Sequence, residues 1–174
     1  DYATIQAAID DPLTVNGNHL SVDPGTYPEA VTLNKSLTLK GAQSGNPACN
    51  RVTGSPDPAS ESIVTGPAPG ATLLTLITGS AGSTIDGFSF IGGTRGLEST
   101  SSPIDNLTIE NNHFAGFSGS GVFLNDNGTD VTALQNDIDG AGKAGSGDLF
   151  HLDTDSFKGF QLVTNCIRNN PTGT

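Results

Sequence analysis

Residues able to do chemistry are few in this 174-residue chain, and most lie in its second half. Asp153 and Asp155, in the segment HLDTD, stand two apart, so on a strand both carboxyls would leave from one face. A glycoside hydrolase needs two carboxyl groups about 5–10 Å apart, one to protonate the leaving oxygen and one to activate water or attack. A solvated strand end explains the same pair. Asp126 and Asp130, in NDNGTD, bring to a turn the hard oxygen ligands that Ca²⁺ takes, but no Glu closes the loop as in an EF-hand. The expectation is no cofactor or metal, with Ca²⁺ the one candidate. His19, His113 and His151 are isolated in sequence. His113 and His151 could meet across coils, yet no Ser or Cys nucleophile is visibly paired with either, and surface or turn roles suit them.

Cys49 and Cys166 are far apart and lack CxxC or zinc-like spacing. They read either as separate thiols or as a disulfide, within or between chains, which would fit an oxidising compartment. Asn34, Asn106 and Asn127 each open an N-x-S/T triplet, a glycan acceptor wherever the source glycosylates.

Tyr2, Ile5 and Ile9 fall three and four apart, which predicts a helix within residues 1–12, ended by Pro12. Beyond it the period becomes two: Leu20 and Val22, Val31 and Leu33, Leu37 and Leu39 alternate with small polar residues, as half-buried strands do. Residues 44–60 carry several Gly and Pro and read as a long loop excursion. Strands resume near Ile63, Leu73–Ile77 and Ile85–Ile91.

From there the chain repeats. Ile109-Glu110-Asn111-Asn112 resembles Leu134-Gln135-Asn136-Asp137 and Val163-Thr164-Asn165-Cys166, and Gly96-Leu97 resembles Gly121-Val122. The segment from Gly119 to Leu124 resembles that from Gly145 to Phe150. Spacings near 25 are too short for a propeller blade and lack the pattern of helix-pair repeats. Stacked coils would bury a continuous row of Val, Ile, Leu and Phe. Asn111 (or its neighbour Asn112), Asn136 and Asn165 could form an amide ladder at one corner. The fold expected is all-β: a parallel β-helix of about five to six coils, a single domain over residues 1–174, its N-terminal edge covered by the helix.

Composition removes other classes. A net charge of −11 repels a phosphate backbone, so no nucleic-acid partner is expected. The longest apolar run, Ala71–Ile77, is interrupted by threonines and far short of the roughly 18–20 residues of a membrane span. A chain that opens on Asp1 and contains no Met reads as one that lost a leader or was excised from a longer one.

The segments YATIQAAIDD (residues 2–11), HLSVDPGTYPE (19–29) and VTLNKSLTLKG (31–41) resemble the opening of right-handed parallel β-helix proteins of the pectin-lyase-like superfamily, especially bacterial secreted and surface proteins. Ile85-Asp86-Gly87-Phe88 and Ile109-Glu110-Asn111-Asn112 resemble their later coils. The resemblance implies the fold. It does not choose an activity, since the superfamily includes lyases, hydrolases, esterases, tailspikes and non-catalytic surface modules. None of Arg51, Arg95 and Arg168 stands in the Arg-x-Pro-x-x-Arg context of pectate lyases. HLDTD resembles the Asn-Thr-Asp element of polygalacturonases, without that family's paired Asp-Asp and Gly-His-Gly elements, and the catalytic segments of pectin methylesterases are missing.

The expected function is therefore a non-catalytic, secreted or cell-surface structural module, adhesin-like or self-assembling into filaments through exposed β-edges. The alternative is a carbohydrate-active protein, either a glycan-binding module or part of a lyase or hydrolase.

Overall fold

The computed structural model describes residues 1–49, 51–52, 54–100, 103–125, 127–141, 143, 148–152 and 157–169. The chain winds as a parallel β-solenoid with three faces. The first face stacks His19–Ser21, Thr38–Lys40, Thr84–Asp86, Thr108–Glu110, Thr132–Leu134 and Gln161–Val163. The second stacks Gly25–Pro28, Ser62–Thr65, Phe88–Ile91, His113–Ala115, Asp137–Asp139 and Cys166–Arg168. The third stacks Val31–Leu33, Thr72–Leu76, Arg95–Ser99, Ser120–Leu124 and Phe150–Leu152. Among the described residues two faces hold six rungs and the third holds five.

Strict register makes one core. On the first face Leu20, Leu39, Ile85, Ile109, Ala133 and Leu162 stack in a column. On the second, Tyr27, Val64, Phe90, Phe114, Ile138 and Ile167 do the same, and the rings of Phe90 and Phe114 lie stacked at 5.1 Å. Val31, Leu74, Leu97, Val122 and Phe150 complete the third. Each coil buries its inward row only because the next coil covers it.

The helix, α1, spans Ile5–Asp10 and buries Ile5 and Ile9 on the first coil. It is shorter than the expected 1–12 segment, and Tyr2 lies outside it, exposed, with its hydroxyl on Asp11. Both helix ends are tied down. Thr4 Oγ1 accepts from Ala7 N, and Glu29 accepts from Ile5 N and Gln6 N at 2.8 and 2.9 Å. Lys35 Nζ donates to the carbonyls of Ile9 and Thr14 at 2.6 and 2.8 Å. Gln6 pairs with the open strand itself: Thr32 N donates to Gln6 Oε1 at 2.7 Å and Gln6 Nε2 donates to Thr32 O at 3.2 Å. A side-chain amide thus takes the place of a neighbouring strand at this edge.

The corner between the first and second faces holds the amide ladder, and its first member is Asn112, not Asn111. Asn112 Nδ2 donates to Asn136 Oδ1 at 3.2 Å, and Asn136 Nδ2 to Asn165 Oδ1 at 2.8 Å. Asn111 sits instead in the left-handed region at φ 56°, with its amide on Asp86. Asn136 also donates to Ile109 O at 2.8 Å and accepts from Asn112 N at 3.0 Å. Removing it strands several buried groups. Asn136→Ala is expected to lower the unfolding free energy by roughly 2–3 kcal/mol. Urea unfolding checks this, and a loss below about 0.5 kcal/mol would show that water replaces the ladder.

Candidate functional site

The excursion at residues 44–60 contains no helix or strand among its described residues, as expected, but it is not a free loop. It leaves the first face after Lys40 and runs lengthwise as a strap along the outside of the second face. Ser44 Oγ and Gly45 N bind the carboxylate of Asp86 in the third rung. Arg51 Nη1 donates to Asn111 O at 2.8 Å beside the fourth. Ala48 N donates to Gln135 O at 2.9 Å beside the fifth. Cys49 forms a disulfide with Cys166 in the sixth, with Cα atoms 5.5 Å apart. The strap then returns, and Arg51 Nε meets Glu61 Oε1 at 3.0 Å. Gly87 makes the passage possible. At φ +79° it turns the corner, and a Cβ there would fall 2.1 Å from Ser44 N.

Under the strap an outward column becomes interior. Ser89, His113 and Asp137 occupy consecutive rungs, and all three are buried. His113 Nδ1 lies 2.9 Å from Asp137 Oδ2, and Arg168 Nε donates to Asp137 Oδ1 at 2.9 Å. Burial works to raise the Asp137 carboxyl, but the hydrogen bonds from His113 and Arg168 and the guanidinium charge outweigh it and hold the group below its ordinary value. The same contact with Asp137 pushes the Arg168 guanidinium up. Arg168 Nη2 also reaches Val52 O, so the ion pair ties the last rung to the strap.

Ser, His and Asp in line have the composition of an acyl-transfer triad without its geometry. Ser89 Oγ donates to Glu61 Oε2 at 2.9 Å, and His113 Nε2 has no hydrogen-bond partner. A nucleophile needs its hydroxyl on the base and a path for substrate. Here the hydroxyl is committed elsewhere and the column is closed. The cluster can hold the strap down. His113 is therefore a buried, paired histidine rather than a surface or turn residue.

The structure does not bring His113 and His151 together: they lie on the second and third faces. His151 stacks on Phe123 with ring centroids 4.7 Å apart, and Arg95 covers Phe123 at 3.6 Å. Asp153, Asp155 and Asp126 lie outside the described residues. Asp130 occupies a corner at φ 55°, and among the described residues no three His, Cys, Asp or Glu side chains converge as metal ligands. Asn34, Asn106 and Asn127 are all exposed. An open cleft of about 260 Å³ at the N-terminal end is lined by Tyr2, His19, Asp23 and Tyr27, among others. Both tyrosine hydroxyls there are already bonded within the chain, to Asp11 and to Asp23 O.

Sequence reasoning missed the two arginines that fasten the strap. A signal existed: Arg51 and Arg168 each follow a cysteine by two positions.

Against known proteins, no family model matches the chain. A curated relative, the "Cell surface glycoprotein" of Methanothermus fervidus, is 35% identical over 119 residues, 67% of this chain. The chain spans 17% of that protein's length. No solved structure matches.

Proposed function

We propose that this chain is a structural module of a cell-surface glycoprotein, a rigid β-solenoid segment that self-associates through the edge of its last rungs. The observation that carries the reading is the contrast between the first and the sixth of the described coils. At the first coil, α1 and Gln6 cover the edge. At the sixth, Leu162 and Ile167 continue the inward columns yet are 49% and 45% exposed, with Leu152 and Val163 exposed beside them. Among the described residues no strand pairs with that edge, and an apolar strand edge is a template for a further strand, from the same chain or from another. We take the partner to be a second copy of this module.

Two things support the surface location: the relative, which is named a cell surface glycoprotein, and the disulfide, which suits an oxidising compartment. The fold and the opening segments also keep a kinship with pectin-lyase-like surface modules in view as part of this proposal. A carbohydrate-binding role draws less support. Phe123, the partly exposed ring on the third face, has Arg95 against it and His151 stacked on it, so it offers little surface for a sugar.

Labelling of intact source cells with a membrane-impermeant amine reagent is expected to modify the protein; an unlabelled protein overturns the surface reading. In solution, sedimentation at rising concentration is expected to show assembly, and the double substitution Leu162→Lys with Ile167→Lys is expected to abolish it. A wild-type monomer throughout would remove self-association and leave the surface reading standing.

A further inference from the structure

We infer that Asn34, Asn106 and Asn127 are N-glycosylated, and that the glycans line a single ridge of the solenoid, the corner where its third face turns into its first. The inference rests on the surface location proposed above. Nothing in the sequence spacing brings these residues together. Winding does: Asn34 follows Val31–Leu33, Asn106 follows Arg95–Ser99, and Asn127 follows Ser120–Leu124, each before the next first-face strand. The register is direct. Asn106 N donates to Thr129 O at 2.8 Å and Ile104 N to Asn127 O at 3.1 Å, so those two triplets sit in adjacent rungs. Gly82 bridges down to the first triplet: its N donates to Asp105 O at 2.7 Å, and a Cβ on it would lie 3.0 Å from Ser36 Oγ.

A second, independent observation concerns the carboxamides. Asn46, Asn111, Asn112, Asn136, Asn165 and Asn169 all donate their side-chain Nδ2 within the chain, while Asn16 and Asn18 accept there through Oδ1. Asn34, Asn106 and Asn127 are exposed, and their side-chain amides make no hydrogen bond among the described residues. Asn125 shares that freedom but lacks a hydroxyl two positions on, where Asn127 stands. Free amide, exposure and a hydroxyl at the second position (Ser36, Thr108, Thr129) therefore coincide on this ridge.

The reaction requires the amide to be free because Nδ2 is the nucleophile. It attacks the anomeric carbon of a sugar carried on a lipid phosphate or pyrophosphate. The N–C bond forms, the C–O bond to phosphate breaks, Nδ2 gives up a proton, and the lipid phosphate departs, with no change of oxidation state. A transferase and its lipid-linked donor supply the co-reactants. The sites leave room for each other. Rungs are about 4.8 Å apart, so Asn34 and Asn106, two rungs apart, are separated by roughly 10 Å along the axis. Asn127 is offset from Asn106 by about three residues, roughly 10 Å across the corner. The ridge lies opposite the strap, so glycans there leave the strap side bare for neighbours.

The test is glycopeptide mass spectrometry on the native protein taken from its source, run beside the surface labelling. Sugar masses on at least two of Asn34, Asn106 and Asn127, and none on Asn46 or Asn125, are expected. A surface-labelled protein with two or more of the three bare overturns the glycan ridge alone; a protein that is not labelled overturns the surface reading and the ridge with it. The double substitution Asn34→Gln with Asn127→Gln, which leaves Asn106 in its left-handed corner, is expected to lose the sugar mass at both positions and keep its urea midpoint when expressed in the source, since those amides hold nothing. A shifted midpoint in protein that never carried sugar would show a structural role and count against the inference.

Discussion

Opening the Cys49–Cys166 bridge is expected to lower the unfolding free energy by about 3–5 kcal/mol, the largest loss from any single change outside the core. The cysteines are 117 positions apart, and closing a loop of that order restricts the unfolded chain by roughly 4–5 kcal/mol in the chain-entropy account. The native state loses something as well. The bridge is the strap's one covalent hold on the sixth rung, next to the contact between Arg168 and Val52. Without it the strap is held by the polar contacts of Arg51, Asp86, Gln135 and Arg168, and the cover over His113 and Asp137 loosens. Urea unfolding of Cys49→Ser with Cys166→Ser, and of the wild type with and without reductant, measures the effect. Hydrogen exchange should show lost protection first at Ala48 N and Cys166 N, which bond to Gln135 O and Asn136 O. A loss under about 1 kcal/mol would mean that the polar contacts hold the strap unaided.

The sequence carried the solenoid plainly and the strap scarcely at all, for physical reasons. A column such as Leu39, Ile85, Ile109 writes itself into the chain as alternation, because each coil must present an apolar residue to the same axis. Where a coil departs from that rule the reading slips. Ile109 aligns with Ala133, not with Leu134, because a small alanine fills the core there while Leu134 lies half-buried on the neighbouring position. Matching Ile109 to Leu134 shifts the register by one residue and sets Asn111 against Asn136, whereas the true register chooses its neighbour Asn112. Likewise Val122 pairs with Phe150, whereas the sequence likeness set Leu124 against it. The strap's contacts, by contrast, join residues such as Arg51 with Asn111 and Val52 with Arg168, and no local period records such pairs. The shared Cys-x-Arg spacing was the trace available.

Asp137→Ala is the second large effect, expected to cost about 3–5 kcal/mol, since it deletes the anion of a buried pair and leaves its partners unmatched. His113 Nδ1 would lose its acceptor inside a sealed column, and Arg168 would keep only Asp139 at 3.8 Å and Val52 O. The pH profile separates this from simple cavity formation. The Asp137 carboxyl is held below its ordinary value in the folded protein, so on acidification the unfolded chain takes up the proton first. The contribution of this group is therefore complete above the ordinary carboxylate value of about 3.9 and is lost as the pH falls through the lower folded value. His113 and Arg168 are the charged or titratable groups that act on it, and Asp139 shares the Arg168 guanidinium. Asp137→Asn keeps the shape but not the charge. It is expected to be less stable than the wild type at neutral pH and to lose stability less steeply between about pH 5 and 2. Parallel urea titrations of the two proteins across that range provide the check. Equal slopes would show that Asp137 does not enter the folded state as an anion, and the strap would then owe its hold to the disulfide and Arg51.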